Sequence, residues 1–341
     1  MSRVSSPRAP VDLATAARDR AKPRPTLGQL AARFDVLLIL LALVVFASIA
    51  SPQFLTVSNL GNLLTQSAVL GILAVAQFLV VLTGGFDLSV AAVMALSSVL
   101  IARYAEANFL LALAGGLLAG LACGLVNGVA IVRGRVQPLI ATLAMMGIAR
   151  GLAFSVSEKS LLTMSPFVQR LGTMGELLTP ATAIWLVLAL AVAAWLGWTR
   201  AGLHCYAVGG NETTARLAGV RADRLKIGVY TVAGAISALA GFALVIRSMS
   251  GVPNGGVGWE LDSIAAIVIG GARLFGGEGS LLKATLGVLI YQLIANVMNL
   301  TGVDPYYQSI IRALVIVIAV GLSVLRQRRQ VRRTLHGRSA A

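Results

Sequence analysis

Residues 199–226 read TRAGLHCYAVGGNETTARLAGVRADRLK, a polar interruption carrying Arg200, Arg216, Arg221, Arg224 and Lys226 inside an otherwise almost continuously apolar chain. Gly209 and Gly210 permit a tight turn, and Asn211 suits a helix N-cap. Residues 212–218 then make about two helical turns, and Gly219 sits where a left-handed C-terminal residue is wanted. The stretch predicts one short capped helix, bearing Glu212, Thr213, Thr214, Ala215, Arg216, Leu217 and Ala218, presented to a single aqueous side. Such a helix is a handle on which another molecule can act.

Composition fixes the class around it. Hydrophobic residues make up 57% and charged residues 12% of the 341-residue chain, the signature of an integral membrane protein. The net charge of +15 does not point to nucleic acid, because the basic residues gather at the termini and in short loops, the positive-inside pattern. Cys123 and Cys205 have no metal-ligand spacing and are expected as free thiols.

Residues 1–33, with seven basic side chains from Arg3 to Arg33, are expected as a disordered cytoplasmic tail. The first apolar run begins too late, at Phe34, for a secretory leader, so nothing need be cleaved. Ten apolar segments follow at 34–51, 63–82, 87–104, 109–132, 138–157, 181–198, 226–247, 260–272, 281–300 and 308–325, most near the ~20 residues that a crossing helix needs. The eighth is short and ends in Gly270-Gly271, which suits a broken helix packed inside protein. The tail at 326–341 carries six arginines, so both termini belong in the cytoplasm and the number of crossings is even. Ten crossings place the 199–226 loop inside and the uncharged linker 51–62 outside.

Two internal signals bear on packing. Asp87-Leu88-Ser89-Val90-Ala91-Ala92-Val93 resembles Leu261-Asp262-Ser263-Ile264-Ala265-Ala266-Ile267, and each run follows a glycine-containing turn, Gly84-Gly85 or Gly255-Gly256. The copies lie five segments apart, so a duplication would be inverted. The expected fold is therefore an all-α membrane bundle of about ten helices, built as an inverted five-helix repeat. Gly116, Gly120, Gly124 and Gly128 recur at four-residue spacing and form a groove that lets another helix backbone approach closely.

No catalytic constellation is present in the pattern. His204 and His336 lie in basic aqueous stretches, and the loop from Gly276 to Lys283 lacks the contiguous Gly-Lys-Ser/Thr of a phosphate-cradling loop. If ATP drives this protein, another chain binds it. Asp87, Arg150, Arg247, Glu260, Asp262, Arg273 and Arg312 are ionisable groups in or beside apolar segments, where charge is costly. Asp87 and Asp262 can each cap the helix that follows; Arg150 must face protein, water or a partner charge. Gln66, Gln77, Asn127, Gln137, Gln292, Asn296 and Asn299 offer amides that hydrogen-bond a sugar or glue helices together.

Four motifs in order, Leu82-Thr83-Gly84-Gly85-Phe86-Asp87-Leu88-Ser89, Pro138-Leu139-Ile140-Ala141-Thr142-Leu143, Tyr206-Ala207-Val208-Gly209-Gly210-Asn211-Glu212 and Glu260-Leu261-Asp262-Ser263-Ile264-Ala265-Ala266-Ile267-Val268-Ile269-Gly270-Gly271, closely resemble the ribose-type permeases of bacterial ABC importers. The resemblance spans residues 35–325. It implies a multi-pass inner-membrane permease domain over 34–325, paired with a second copy or a close relative. Two cytoplasmic ATPase subunits holding ATP and magnesium would drive it, and a periplasmic binding protein would deliver a monosaccharide. The resemblance also implies that residues 211–219 are the coupling helix docking on the ATPase. Gly84, Gly85, Asp87, Ser89, Asn127, Glu260, Asp262 and Ser263 are candidates for the pathway or its gate. Branched-chain amino acids or nucleosides are the alternative cargo, and a stand-alone secondary carrier is the alternative of another class. The chain departs from its relatives at Gly202-Leu203-His204 and at Ala272-Arg273, which puts an ionic contact near residue 203 in doubt.

Overall fold

The computed structural model describes residues 34–321. The tails expected over 1–33 and 326–341, and the last residues of the tenth segment, lie outside this range. In chain order the helices are α1 Asp35–Ala50, α2 Val57–Leu82, α3 Val90–Tyr104, α4 Phe109–Val132, α5 Pro138–Val156, α6 Pro166–Gly172, α7 Pro180–Trp198, α8 Arg200–Gly210, α9 Glu212–Leu217, α10 Ala222–Ser248, α11 Trp259–Ile269, α12 Leu281–Leu300 and α13 Pro305–Gly321. Two-residue strands β1, Leu161–Leu162, and β2, Ser250–Gly251, pair antiparallel.

A helix occupies each of the ten apolar stretches, but six, α2, α4, α5, α7, α10 and α12, are long and apolar enough to cross a membrane. The eleven residues of α11 reach only about 17 Å at 1.5 Å per residue, against a hydrocarbon core of about 30 Å. That helix ends in a turn at Gly270 and the left-handed Gly271.

Local chemistry sets the helix starts. Thr56, Asn108 and Thr179 each accept a backbone N–H of the following first turn, from Asn59, Leu111 and Thr182, satisfying one of the donors a helix start leaves open. Pro138 and Pro180 occupy first-turn positions, where the missing N–H costs nothing. The Thr56 cap also corrects the expected linker. α2 begins at Val57, because Ser58, Asn59 and Asn62 make its first two turns polar and an apolar scan passes over them. α10 likewise begins at Ala222 instead of 226, with Asp223 and Arg224 in its first turn. α3 begins only at Val90, leaving Asp87 and Leu88 in the connecting loop.

Two long helices form the centre. Every residue of α2 from Ser67 to Leu82 is buried, as is every residue of α10 from Ala240 to Ile246. A helix apolar on all sides is covered on all sides. α10 packs against α2, α3 and α4, while α2 packs against α7, α11 and α12. Each central helix is thus embedded among helices from the other half of the chain. The peripheral helices α4, α5 and α7 turn Leu111, Leu118, Ile140, Leu143, Val187 and Leu190 outward, the apolar exposure a lipid-facing surface requires.

Gly116, Gly120, Gly124 and Gly128 of α4 are all buried. A Cβ on Gly116 would stand 2.7 Å from the Ser97 hydroxyl of α3. On Gly120 it would overlap the Gly234 carbonyl, on Gly124 the Tyr230 carbonyl, and on Gly128 it would come within 2.9 Å of the Ile227 Cα. Three of the four therefore face α10, backbone to backbone.

Candidate functional site

The polar stretch folds as two helices, not one. Thr199 caps α8, its hydroxyl accepting the Gly202 N–H at 3.1 Å. Gly209 and Gly210 are the last residues of α8, which replaces the expected turn; the chain turns at Asn211 instead. The Asn211 N–H donates to the Ala207 carbonyl, ending α8, and its side-chain oxygen accepts the Thr214 N–H at 2.9 Å, starting α9. Gly219, at φ 87°, donates to the Arg216 carbonyl, and the Val220 N–H returns to Ala215, the glycine-terminated close of a helix.

α9 has an inner and an outer face. Ala215 is buried with Val208 and Ala222. Arg216 pairs with Glu212 at 2.7 Å and with Asp223, and Lys226 pairs with Glu212, so the ion cluster ties α9 to the base of α10. Partial burial pushes the Glu212 carboxyl up, but hydrogen bonds from Lys226 and Arg216 outweigh it and hold the group below its ordinary value. On the outer face Thr213, Thr214, Ala218 and Gly219 are exposed, and Leu217 is 85% exposed.

Beneath the glycine end of α8, two glycine turns meet, one at Gly84 and one at Gly276-Gly277. The Gly277 N–H donates to the Leu82 carbonyl at 3.0 Å. A Cβ on Gly209 would overlap that carbonyl and stand 2.5 Å from the Gly277 nitrogen; one on Gly276 would lie 2.7 Å from the Gly84 nitrogen. Gly84, Gly276 and Gly277 all have positive φ, which glycine adopts without steric cost. The Tyr206 hydroxyl donates to the Gly279 carbonyl at 3.2 Å, and Arg273 pairs with Glu278 at 2.7 Å across the same loop. α8 therefore rests on both the end of α2 and the loop joining α11 to α12.

The other candidate residues separate into two clusters. Asp87, 1% exposed, accepts the Ser89 N–H at 2.8 Å and the Ser89 hydroxyl at 2.6 Å. Asn127 of α4 donates to the Ser89 hydroxyl at 3.0 Å, and Tyr230 of α10 donates to the Phe86 carbonyl at 3.1 Å, with Gly85 against the Tyr230 ring hydroxyl. Ser89, not Asp87, occupies the N-cap of α3, and Asp87 fixes the loop before it. Glu260, Asp262 and Ser263 lie beyond the far end of α10, in the first turns of α11. Gly258, not Asp262, occupies the N-cap there. Asp262 instead accepts the Tyr291 hydroxyl of α12 at 2.5 Å, and the Ser263 hydroxyl donates to the Glu260 carbonyl.

Several contributors were not legible in advance. Tyr206, Tyr230 and Tyr291 each donate to one of these elements; a tyrosine in an apolar run seeks a partner for its hydroxyl, and that was the available signal. Arg150 donates to the carbonyls of Pro253 and Gly255 at 2.8 and 2.9 Å, so it faces protein backbone. Among the amides, Gln292 donates to the Gln66 carbonyl, Asn296 bonds Asn59, and Asn299 accepts from Gln308. Neither polar atom of the fully buried Gln77 has a partner among the described residues.

Sequence comparison agrees with this architecture. Residues 59–320 match the family described as the branched-chain amino acid transport system permease component. The chain is 41% identical over 293 residues to the ribose import permease protein RbsC of Escherichia coli, covering 83% of this chain and 91% of that one. It is 36% identical over 326 residues to the L-arabinose ABC transporter permease protein AraH of Azospirillum brasilense, covering 94% and 96%. To the fructose import permease protein FrcC of Rhizobium meliloti it is 34% identical over 304 residues, covering 85% and 84%. No solved structure matches. The chain is a multi-pass membrane protein that belongs to this family of transport-system permease components.

Proposed function

We propose that the protein is the permease subunit of an ABC importer that brings a monosaccharide, a pentose, hexose or related polyol, into the cytoplasm. The observation that carries this reading is identity of 34–41% across more than four fifths of the chain to relatives named for ribose, arabinose and fructose import. Those names favour sugar over branched-chain amino acids, the cargo in the family's own description.

The remaining parts of the reading rest on geometry. α9 is the docking helix for a cytoplasmic ATPase dimer, which holds ATP and magnesium. Its capped ends, its ionic tether to α10 and its projecting Leu217 suit a rigid part that is pushed from outside. Ten crossings with both termini in the cytoplasm, in the bacterial inner membrane, keep the basic loops inside. An inverted five-helix repeat is supported by α1–α5 against α7, α10, α11, α12 and α13. In each half the second helix is the longest, at 26 and 27 residues, and the third is the shortest, at 15 and 11. Closure of the ATPase pair pushes α9, and α8 passes the movement to the end of α2 and to the loop before α12, switching the permease between inward and outward facing. A second permease copy or close relative and a periplasmic sugar-binding protein complete the importer.

The test is uptake in proteoliposomes holding the permease with the ATPase and binding protein encoded beside it. Labelled D-ribose, L-arabinose or D-fructose should accumulate only with ATP inside the compartment that exposes the ATPase. Uptake of none of the three would refute the monosaccharide reading; uptake without the ATPase would make the protein a secondary carrier.

A further inference from the structure

A polar cavity of about 360 Å³ opens at the end of the molecule opposite α9. Its walls are the first turns of α2, the segment after α6, the start of α7 and the C-terminal end of α10. Four of its side chains, Asn62, Gln66, Glu176 and Arg247, make no side-chain hydrogen bond or ion pair among the described residues. Close backbone contacts build the walls around them. A Cβ on Gly61 would overlap the Glu176 carbonyl oxygen, and one on Gly172 would come within 2.8 Å of the Ile246 carbonyl. The Thr65 and Thr179 hydroxyls lie 3.2 Å apart and tie α2 to the start of α7.

We propose that this cavity is a binding site for a neutral polyhydroxylated molecule the size of a monosaccharide, held on the outer side of the permease before translocation. The lining narrows the ligand class. A guanidinium and a carboxylate share the cavity without pairing, so a simple anion meets Glu176 and a simple cation meets Arg247, whereas a neutral polyol hydrogen-bonds to both; a zwitterion would also match both, and the choice of polyol over amino acid rests on the import reading above. The two amides add donors and acceptors together, the requirement of a hydroxyl that both gives and takes a hydrogen bond. The volume falls in the lower part of the ~300–1,000 Å³ range of small-molecule pockets. Naming the ligand a sugar and the side the outer one rests on the import reading above.

The experiment uses the reconstituted importer with Gln66→Ala, Glu176→Gln and Arg247→Gln permeases, normalised to inserted protein. Three quantities are read: uptake of the sugar carried by the wild type, ATP hydrolysis stimulated by the loaded binding protein, and co-purification of that protein. Uptake should fall by about tenfold or more, the order expected from losing hydrogen bonds to a charged group, while stimulated hydrolysis and co-purification stay near wild type. Saturation-transfer NMR on the wild-type permease in nanodiscs, without binding protein, should show transfer to the protons of that sugar. Wild-type uptake in the variants, or absence of saturation transfer, overturns the site. Parallel loss of co-purification would make these residues a docking surface and overturn it as well. A wild type that carries none of D-ribose, L-arabinose and D-fructose refutes the import reading first, and the site as a sugar site falls with it.

Discussion

Gly115→Ala and Gly120→Ala, five residues apart and on different faces of α4, isolate the cost of close helix approach. Nothing lies within 4 Å of a Cβ built on Gly115, whereas on Gly120 it overlaps the Gly234 carbonyl and stands 2.5 Å from the Ala238 Cβ. Neither neighbour can rotate away, so restoring ordinary carbon contact near 3.5 Å requires α10 to retreat by about 1 Å. Both variants gain the same helix preference of alanine over glycine, about 1 kcal/mol, and it cancels in the comparison. What remains is the overpacking cost. Gly120→Ala should therefore be less stable than Gly115→Ala by about 1–3 kcal/mol, read from the midpoints of SDS titrations of the purified proteins in mixed micelles. Equal midpoints would refute close packing of α4 on α10.

Leu217→Asp should leave stability within about 0.5 kcal/mol, because the side chain touches little of its own chain, yet abolish ATP hydrolysis coupled to the loaded binding protein. Unchanged coupling would remove α9 as the docking helix. The Glu212 carboxyl is held below its ordinary value of 4.5 in the folded chain, so its contribution is complete above that value and lost as pH falls through the depressed one. Amide exchange in α9 should be as protected at pH 6 as at pH 8, and protection relative to α4 should be lost only below the ordinary carboxyl value of 4.5; protection already falling above that value would refute the ionic tether. Tyr206→Phe removes the bond to the Gly279 carbonyl, a loss of about 1 kcal/mol, and should lower uptake per ATP without lowering hydrolysis. Burial pushes the Cys205 thiol up to about 11, so at pH 8 its alkylation by N-ethylmaleimide should run roughly a hundredfold slower than in the SDS-unfolded chain.

The elements that were legible are those decided by neighbours in sequence. Asn211 followed by a short polar run and Gly219 reads as a capped helix, and the structure has one over Glu212–Leu217. The spacing of Gly116, Gly120, Gly124 and Gly128 reads as a groove, because the α-helical repeat alone puts them on one side. Elements decided by distant backbone read poorly. Gly209-Gly210 has the composition of a turn, yet Gly209 must be glycine because the Leu82 carbonyl and Gly277 nitrogen press against the end of a helix. Asp262 has the position of a cap, but Gly258 already starts the helix and the Tyr291 hydroxyl, 29 residues away, takes the carboxylate. The pathway candidates Asp87, Glu260 and Asp262 could not be placed relative to one another in advance, because their neighbours are distant in the chain: the loop holding Asp87 meets Tyr230 of α10, whereas Asp262 meets Tyr291 of α12.

The exchange of central helices constrains how a push on α9 can act. α2 lies among α7, α11 and α12, and α10 lies among α3 and α4, so separating the halves of one chain would strip both central helices of their cover at once. With Ser67–Leu82 of α2 and Ala240–Ile246 of α10 buried without interruption, that exposes both apolar surfaces together. Sliding is opposed as well, because Gly120 and Gly234 lock backbone against backbone and a shift along the helix brings side chains into that contact. The soft motion left is a tilt of the whole chain about its membrane axis. A tilt of one body opens a path only against another body, so on the proposed reading the sugar crosses between two permease chains, and the handle at α9 turns each as a unit.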